Sequence, residues 1–133
     1  MRRDQARQVA TWVALLGLEK KAERVEVIDL AEKVDYADFI VLMSGRSDRQ
    51  VQAIANGVTD GLRERGVRPV GVEGLTQGHW VVVDLADVIV HVFIEEARQY
   101  YDIEGLWMDA RRVPYEGAVL PPMRVKARVD EVS

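Results

Sequence analysis

The sequence predicts an α/β domain, a mixed β-sheet with flanking helices. Three observations carry that reading. Two β-branched runs, Trp80–Val83 and Val88–Phe93, flank the short link Asp84–Asp87, the pattern of an antiparallel hairpin. Phe39 to Met43 is a continuous apolar run, as in a strand buried on both faces. Val9, Trp12, Val13 and Leu16 recur at helical spacing, as do Val51, Ile54, Ala55, Val58 and Leu62. The element order is α-β-β-α-β-β-β-α, which places helices against a mixed sheet.

In order, a helix spans Asp4 to Leu16, with Gly17 placed to end it. It starts an integral part of the domain, although Arg2, Arg3 and Arg7 give it a faint likeness to a targeting presequence. Lys20 to Arg24 form a charged link, and the first strand runs from Val25 to about Leu30. Ala31 to Asp38 is polar and turn-like, and Phe39–Met43 follows as the buried strand. Ser47 and Gln50 have the spacing of a capping box, each side chain serving an orphan amide at a helix start. That helix reaches about Arg65, where Gly66 is a natural cap and Pro69 lies just beyond. Pro69 to Glu73 reads as an edge strand, because proline cannot donate to a ladder. After the hairpin the period changes at Glu95 to helix, and Asp102 caps a last turn carrying Leu106 and Trp107. The second hairpin strand is apolar on both sides, Val88, Val90 and Val92 against Ile89 and Phe93, so it belongs in a covered, central position.

A chain of 133 residues suits one domain and needs no covalent staple. Its net charge of -4 is too mild to argue for bulk nucleic-acid or membrane binding. It has no cysteine, which excludes disulfides, zinc thiolates and cysteine nucleophiles. No apolar run is long enough to cross a bilayer. Charge is unevenly spread, however. Between Glu73 and Asp109 stand eight acids, and the only lysine or arginine is Arg98. This is either a solvated face or a docking surface for a basic partner.

Catalytic chemistry finds little support. Ser44-Gly45-Arg46-Ser47 before a helix has neither the lysine nor the glycine spacing of a P-loop. Gly-x-Ser before a helix is also a feature of nucleotidyltransferases, but those enzymes hold magnesium with an Asp-x-Asp pair on a neighbouring strand. Here Asp84 and Asp87 are three apart, across the hairpin turn. His79 and His91 without cysteine make a poor transition-metal site. His91, inside an apolar strand, reads as a hydrogen-bonded structural histidine. No cofactor or metal is expected. Trp80 shares a strand face with Val82 and Asp84. It is either core or an exposed interface anchor.

Motifs in series resemble one family. They are Glu19-Lys20-Lys21-Ala22-Glu23, Ala37-Asp38-Phe39-Ile40-Val41 and Ser44-Gly45-Arg46-Ser47-Asp48-Arg49-Gln50-Val51. The series continues with Glu73-Gly74-Leu75, Gly78-His79-Trp80 through Asp84, Asp87 through His91, and Glu104-Gly105-Leu106-Trp107. Over about Ala6 to Ala110 the sequence is similar to the ribosomal silencing factors, also called Iojap-like proteins. The resemblance implies a nucleotidyltransferase-like fold lacking the catalytic carboxylates, and a binding protein rather than an enzyme. It implies a translational repressor that binds the large ribosomal subunit through universal ribosomal protein number fourteen and blocks joining of the small subunit. Organellar relatives act in large-subunit assembly. The family's signatures fall on Glu73, Gly74 and Leu75, on Gly78 and Trp80, and on Asp84 and Asp87. Its aromatic pair falls on Tyr100-Tyr101, where Tyr100 departs from the usual residue.

The expected partner-binding set is therefore Glu73, Leu75, Trp80, Val82, Asp84, Asp87 and Tyr101. In it Trp80 and Leu75 supply apolar area and the acids set orientation. Further expectations are a cytoplasmic homodimer with no membrane contact and no direct nucleic-acid specificity. Residues 1–112 form the domain. Residues 113–133, with Arg124, Lys126 and Arg128, form a basic, mobile tail.

Overall fold

A computed structural model describes residues 3–31 and 33–123. Six strands form one mixed sheet in the order β3-β4-β5-β2-β1-β6. They are β1 (Glu23–Asp29), β2 (Phe39–Gly45), β3 (Gly71–Glu73), β4 (Trp80–Asp84), β5 (Val88–Ile94) and β6 (Arg111–Arg112). Only β2 and β5 run parallel; the other neighbours are antiparallel. The helices are α1 (Arg3–Glu19), α2 (Asp48–Arg63) and α3 (Glu95–Tyr101), and a 3-10 turn spans Ile103–Trp107.

Period-2 alternation sorts the sheet's side chains onto two unequal faces. Phe39, Val41 and Met43 of β2, Val81 and Val83 of β4, and Val88, Val90 and Val92 of β5 point to one side. There they meet Val9, Val13 and Leu16 of α1 and Val51, Ile54, Val58 and Leu62 of α2 in the main core. On the other side Ile28, Ile40, Leu42 and Phe93 form a smaller core. Its cover comes from Ala97, Ile103 and Trp107 of the short C-terminal segment and from Val34.

Both long helices cover the same face, so β5 is central without being fully enclosed. Phe93 is buried, but Ile89 and His91 are only half-buried. The seven residues of α3 and one 3-10 turn are too short to cap the whole second face.

Four local expectations are modified. The first helix does not stop at Gly17 but continues to Glu19. A Cβ on Gly17 would lie 2.3 Å from Met43 Sδ, so this glycine lets α1 approach β2. Ser47 caps α2 by accepting from Gln50 N at 3.2 Å, but Gln50 Oε1 accepts from Arg46 N, one residue earlier than a capping box requires. The last turn has no side-chain cap from Asp102; that residue is left-handed (φ 47°), and its backbone oxygen accepts from Gly105 N.

The fourth concerns the chain beyond Arg112. Val113 is buried, and its amide donates to Val27 O at 2.8 Å. Tyr115 donates its hydroxyl to Val25 O, and Arg65 Nε donates to Pro121 O at 2.7 Å. The domain edge expected after Arg112 thus falls inside packed chain. Arg124, Lys126 and Arg128 lie outside the described residues.

Candidate functional site

Among the described residues, the sheet face opposite α1 and α2 is only partly covered. Register places Glu73, Val82 and His91 side by side on β3, β4 and β5. The row on one side pairs Trp80 with Phe93, and the row on the other pairs Gly71, Asp84 and Ile89. A Cβ at Gly71 would meet nothing within 4 Å, so this corner is open. Trp80, Val82 and Asp84 therefore share one face, as alternation predicts, and the pairing of β3 with β4 adds Glu73 to it.

Trp80 is the hub. Its ring centroid lies 4.5 Å from Tyr101, 5.3 Å from Phe93 and 5.8 Å from His91. The indole N–H donates to His91 Nδ1 at 2.9 Å. His91 in turn stacks on Phe93, with an interplanar angle of 11°. Trp80 is half-buried and Tyr101 is 52% exposed. Trp80 is thus neither wholly core nor wholly exposed: it packs on the smaller core beside Phe93 and stays half-buried, with the ring of Tyr101 against it. Tyr100 meets Tyr101 edge-on at 5.0 Å and is itself exposed.

His91 is the structural histidine the sequence suggests. Burial pushes its pKa from the usual 6.5 down to about 4. The neutral ring accepts the Trp80 proton at Nδ1, so its own hydrogen sits on Nε2. Between pH 6.5 and 4 the imidazole of the unfolded chain carries a second proton, and that of the folded chain does not. Stability is then complete above pH 6.5 and falls as pH drops through that window, by roughly 3 kcal/mol at most. Denaturant titrations at about pH 7, 5.5 and 4.5 should show the decline, and His91→Phe should flatten it. A second, lower window comes from Glu104. Hydrogen bonds from Arg98 hold its carboxyl at about 2, so its contribution is lost as pH falls below 4.5.

Leu75 takes a different place from the one expected. It is half-buried against the main core, on the helix side of the sheet, and does not join Trp80. The loop after β3 is drawn to that side by Gln52 of α2, whose Nε2 donates to Leu75 O and Thr76 O, both at 2.9 Å. Asp84 has a structural duty as well: its Oδ1 accepts from Ala86 N at 2.8 Å, in the turn where Ala86 takes φ 74°. Across the same turn, Asp87 O accepts from Asp38 N and Phe39 N, tying the hairpin to the start of β2.

The acidic bias is partly neutralised within the fold. Glu95 pairs with Arg24, Glu104 with Arg98 and Arg24, and Asp109 with Lys33. Glu73 and Asp84, on the Trp80 face, take part in no ion pair among the described residues. In sequence, Arg98 stands out only as a lone base among acids. In the fold it is 1% exposed and forms a bidentate pair with Glu104, two bonds of 2.9 Å.

Among the described residues no group of three or more His, Asp and Glu could hold a metal. Ser47 Oγ is engaged as a cap. Hollows of about 440 and 330 Å³ lie on the β1–β6 side, lined by Arg3, Asp29 and Lys33 and by Val25, Val113 and Tyr115. The arrangement suits protein recognition: an aromatic anchor, adaptable tyrosines and a rim of acids.

Known proteins give the site its context. A family model described as ribosomal silencing factor during starvation matches residues 3–132. A ribosomal silencing factor from Halalkalibacterium halodurans is 42% identical over 101 residues, covering 76% of this chain and 86% of the relative. A mouse protein named mitochondrial assembly of ribosomal large subunit protein 1 is 30% identical over 98 residues, 71% of this chain and 42% of that one. A crystal structure of a Chromobacterium violaceum protein superposes with a TM-score of 0.75 at 32% identity, over 92% of each chain.

Proposed function

The chain belongs to the ribosomal silencing factor family, and from that premise we propose that it represses translation by occupying the large ribosomal subunit. It docks on universal ribosomal protein number fourteen and sterically blocks the small subunit. The observation that carries this reading is the half-covered face of β3, β4 and β5. Trp80, Val82 and Tyr101 offer apolar area there, and Glu73 and Asp84 offer negative charge that no basic residue of the described fold meets. Basic surface on a partner complements such a rim, and complementarity sets register and encounter rate. Asp87 stands at the turn beside it, whereas Leu75 supports the loop from behind.

The protein works by binding and not by catalysis, in the cytoplasm, as a homodimer when free. Purified protein sedimented with separated subunits should travel with the large subunit and not with the small one. Equal binding to both, or to neither at micromolar protein, defeats the proposal. Asp84→Lys should weaken the large-subunit complex by about 2 kcal/mol or more. Asp84→Asn retains the turn acceptor for Ala86 and should lose less. Comparing the two separates charge from turn geometry.

A second reading keeps the contact and changes its timing: an assembly factor for the large subunit, favoured by the name of the mouse relative. Depleting the protein would then leave immature large subunits even in well-fed cells.

A further inference from the structure

We infer that Arg98 is the positioning residue of the docking face: it sets where Tyr101 stands over Trp80, without touching a partner itself. The inference rests on the docking face proposed above. Arg98 is the only buried residue of α3, and its guanidinium turns inward. Its Nη1 donates to Arg24 O at 2.7 Å and to Ser44 Oγ at 2.9 Å. Its Nε and Nη2 take both oxygens of Glu104, and Glu26 stands 3.6 Å from Nη2. One side chain thus ties α3 to β1, to β2 and to the 3-10 turn.

Tyr100 and Tyr101 lie between the two ends of this clamp. Glu95, at the start of α3, pairs with Arg24 of β1. Glu104, beyond the helix, pairs with Arg98. Directly after Tyr101 the chain reverses at Asp102, whose amide donates to Arg98 O at 3.0 Å. A helix of seven residues has little stability of its own. Ala97, Ile103 and Trp107 seat the segment on the smaller core, but apolar contacts are non-directional and tolerate sliding. The planar fork of Arg98 does not, because several acceptors must be met at once. A buried ion pair is often no more stabilising than an apolar replacement. Fixing the geometry of the segment accounts for this one better than stability does.

The test is a double-mutant cycle on the full chain with Arg98→Lys, Tyr101→Ala and the pair. Lysine keeps the charge and loses the fork. Arg98→Lys should stay cooperatively folded and lose the near-UV circular dichroism that Tyr101→Ala also removes. Its affinity for the large subunit should fall about tenfold, and adding it to Tyr101→Ala should cost less than about twofold more. If the two losses add in full, or only Tm falls while the near-UV spectrum is kept, Arg98 merely stabilises and the inference is overturned. Should Arg98→Lys not fold, Glu104→Gln takes its place in the same cycle: non-additive losses support the inference, and fully additive ones overturn it. The spectroscopic arm needs no ribosome. It still decides the role of Arg98 if the wild-type chain fails to bind the large subunit, a failure that counts against the proposed function instead.

Discussion

Trp80→Ala is expected to lose stability and subunit binding together, by about 2–3 kcal/mol in the fold. The indole is half-buried, so the loss is smaller than for a fully enclosed tryptophan. It has three parts. The ring leaves a gap between Phe93 and Tyr101. His91 Nδ1 loses its donor, which costs about 1 kcal/mol where water does not replace it. Tyr101 loses the surface it rests on, so the proposed binding face is disturbed beyond the deleted atoms. Trp80→Phe separates these parts. It keeps most of the stacking area, loses the N–H, and should recover more than half of the stability. Urea melts and large-subunit binding on the same samples give both numbers. Full stability with normal binding in Trp80→Ala would place the interface on another face of the sheet.

An effect of similar size is expected from Gly74→Ala, a single methyl in the loop that follows β3. Gly74 takes φ 85°, where a side chain is strained. A Cβ there would lie 2.1 Å from the backbone oxygen of Trp80. Neither atom belongs to a flexible side chain, so β3 and β4 must separate to relieve the clash. Together strain and clash should cost about 2–3 kcal/mol. Because the oxygen belongs to Trp80, the shift also moves the aromatic hub. Subunit affinity should therefore fall along with Tm, although Gly74 itself lies outside the docking set. Gly71→Ala is the internal control. Its φ is ordinary and its Cβ would meet open space, so it should change little. Equal behaviour of the two variants would show that the loop after β3 tolerates displacement and that its glycine does not constrain Trp80.

Much of the architecture is legible in the sequence because it depends on local rules. The hairpin, the buried β2, the edge strand after Pro69 and the helix begun by Ser47 all rest on periodicity and turn chemistry between near neighbours. Alternation alone places Trp80, Val82 and Asp84 on one face, and register adds Glu73 to it. The side taken by Leu75 is not legible. It depends on Gln52, far away in sequence, holding the loop's carbonyls. Gly17 misleads for a related reason. A glycine near a helix end reads as a cap, but here it makes room for Met43 of a strand two elements later. Val113 and Tyr115 look like the start of a loose tail because their partners, Val27 and Val25, lie in β1.

By itself, then, the sequence determined the kinds of element and their order as far as α3, the alternation of the hairpin strands and the family to which the chain belongs. Those follow from neighbours within a few residues or from motifs read in line. It did not determine the short edge strand β6, which exists only by pairing with β1. Tertiary structure alone decided which face of the sheet stays open. Both long helices pack on one side, and the short segment after β5 covers only part of the other. The same packing turned Arg98 inward. Several elements must converge before a guanidinium meets Arg24, Ser44, Glu26 and Glu104, and no spacing within one element encodes such a meeting.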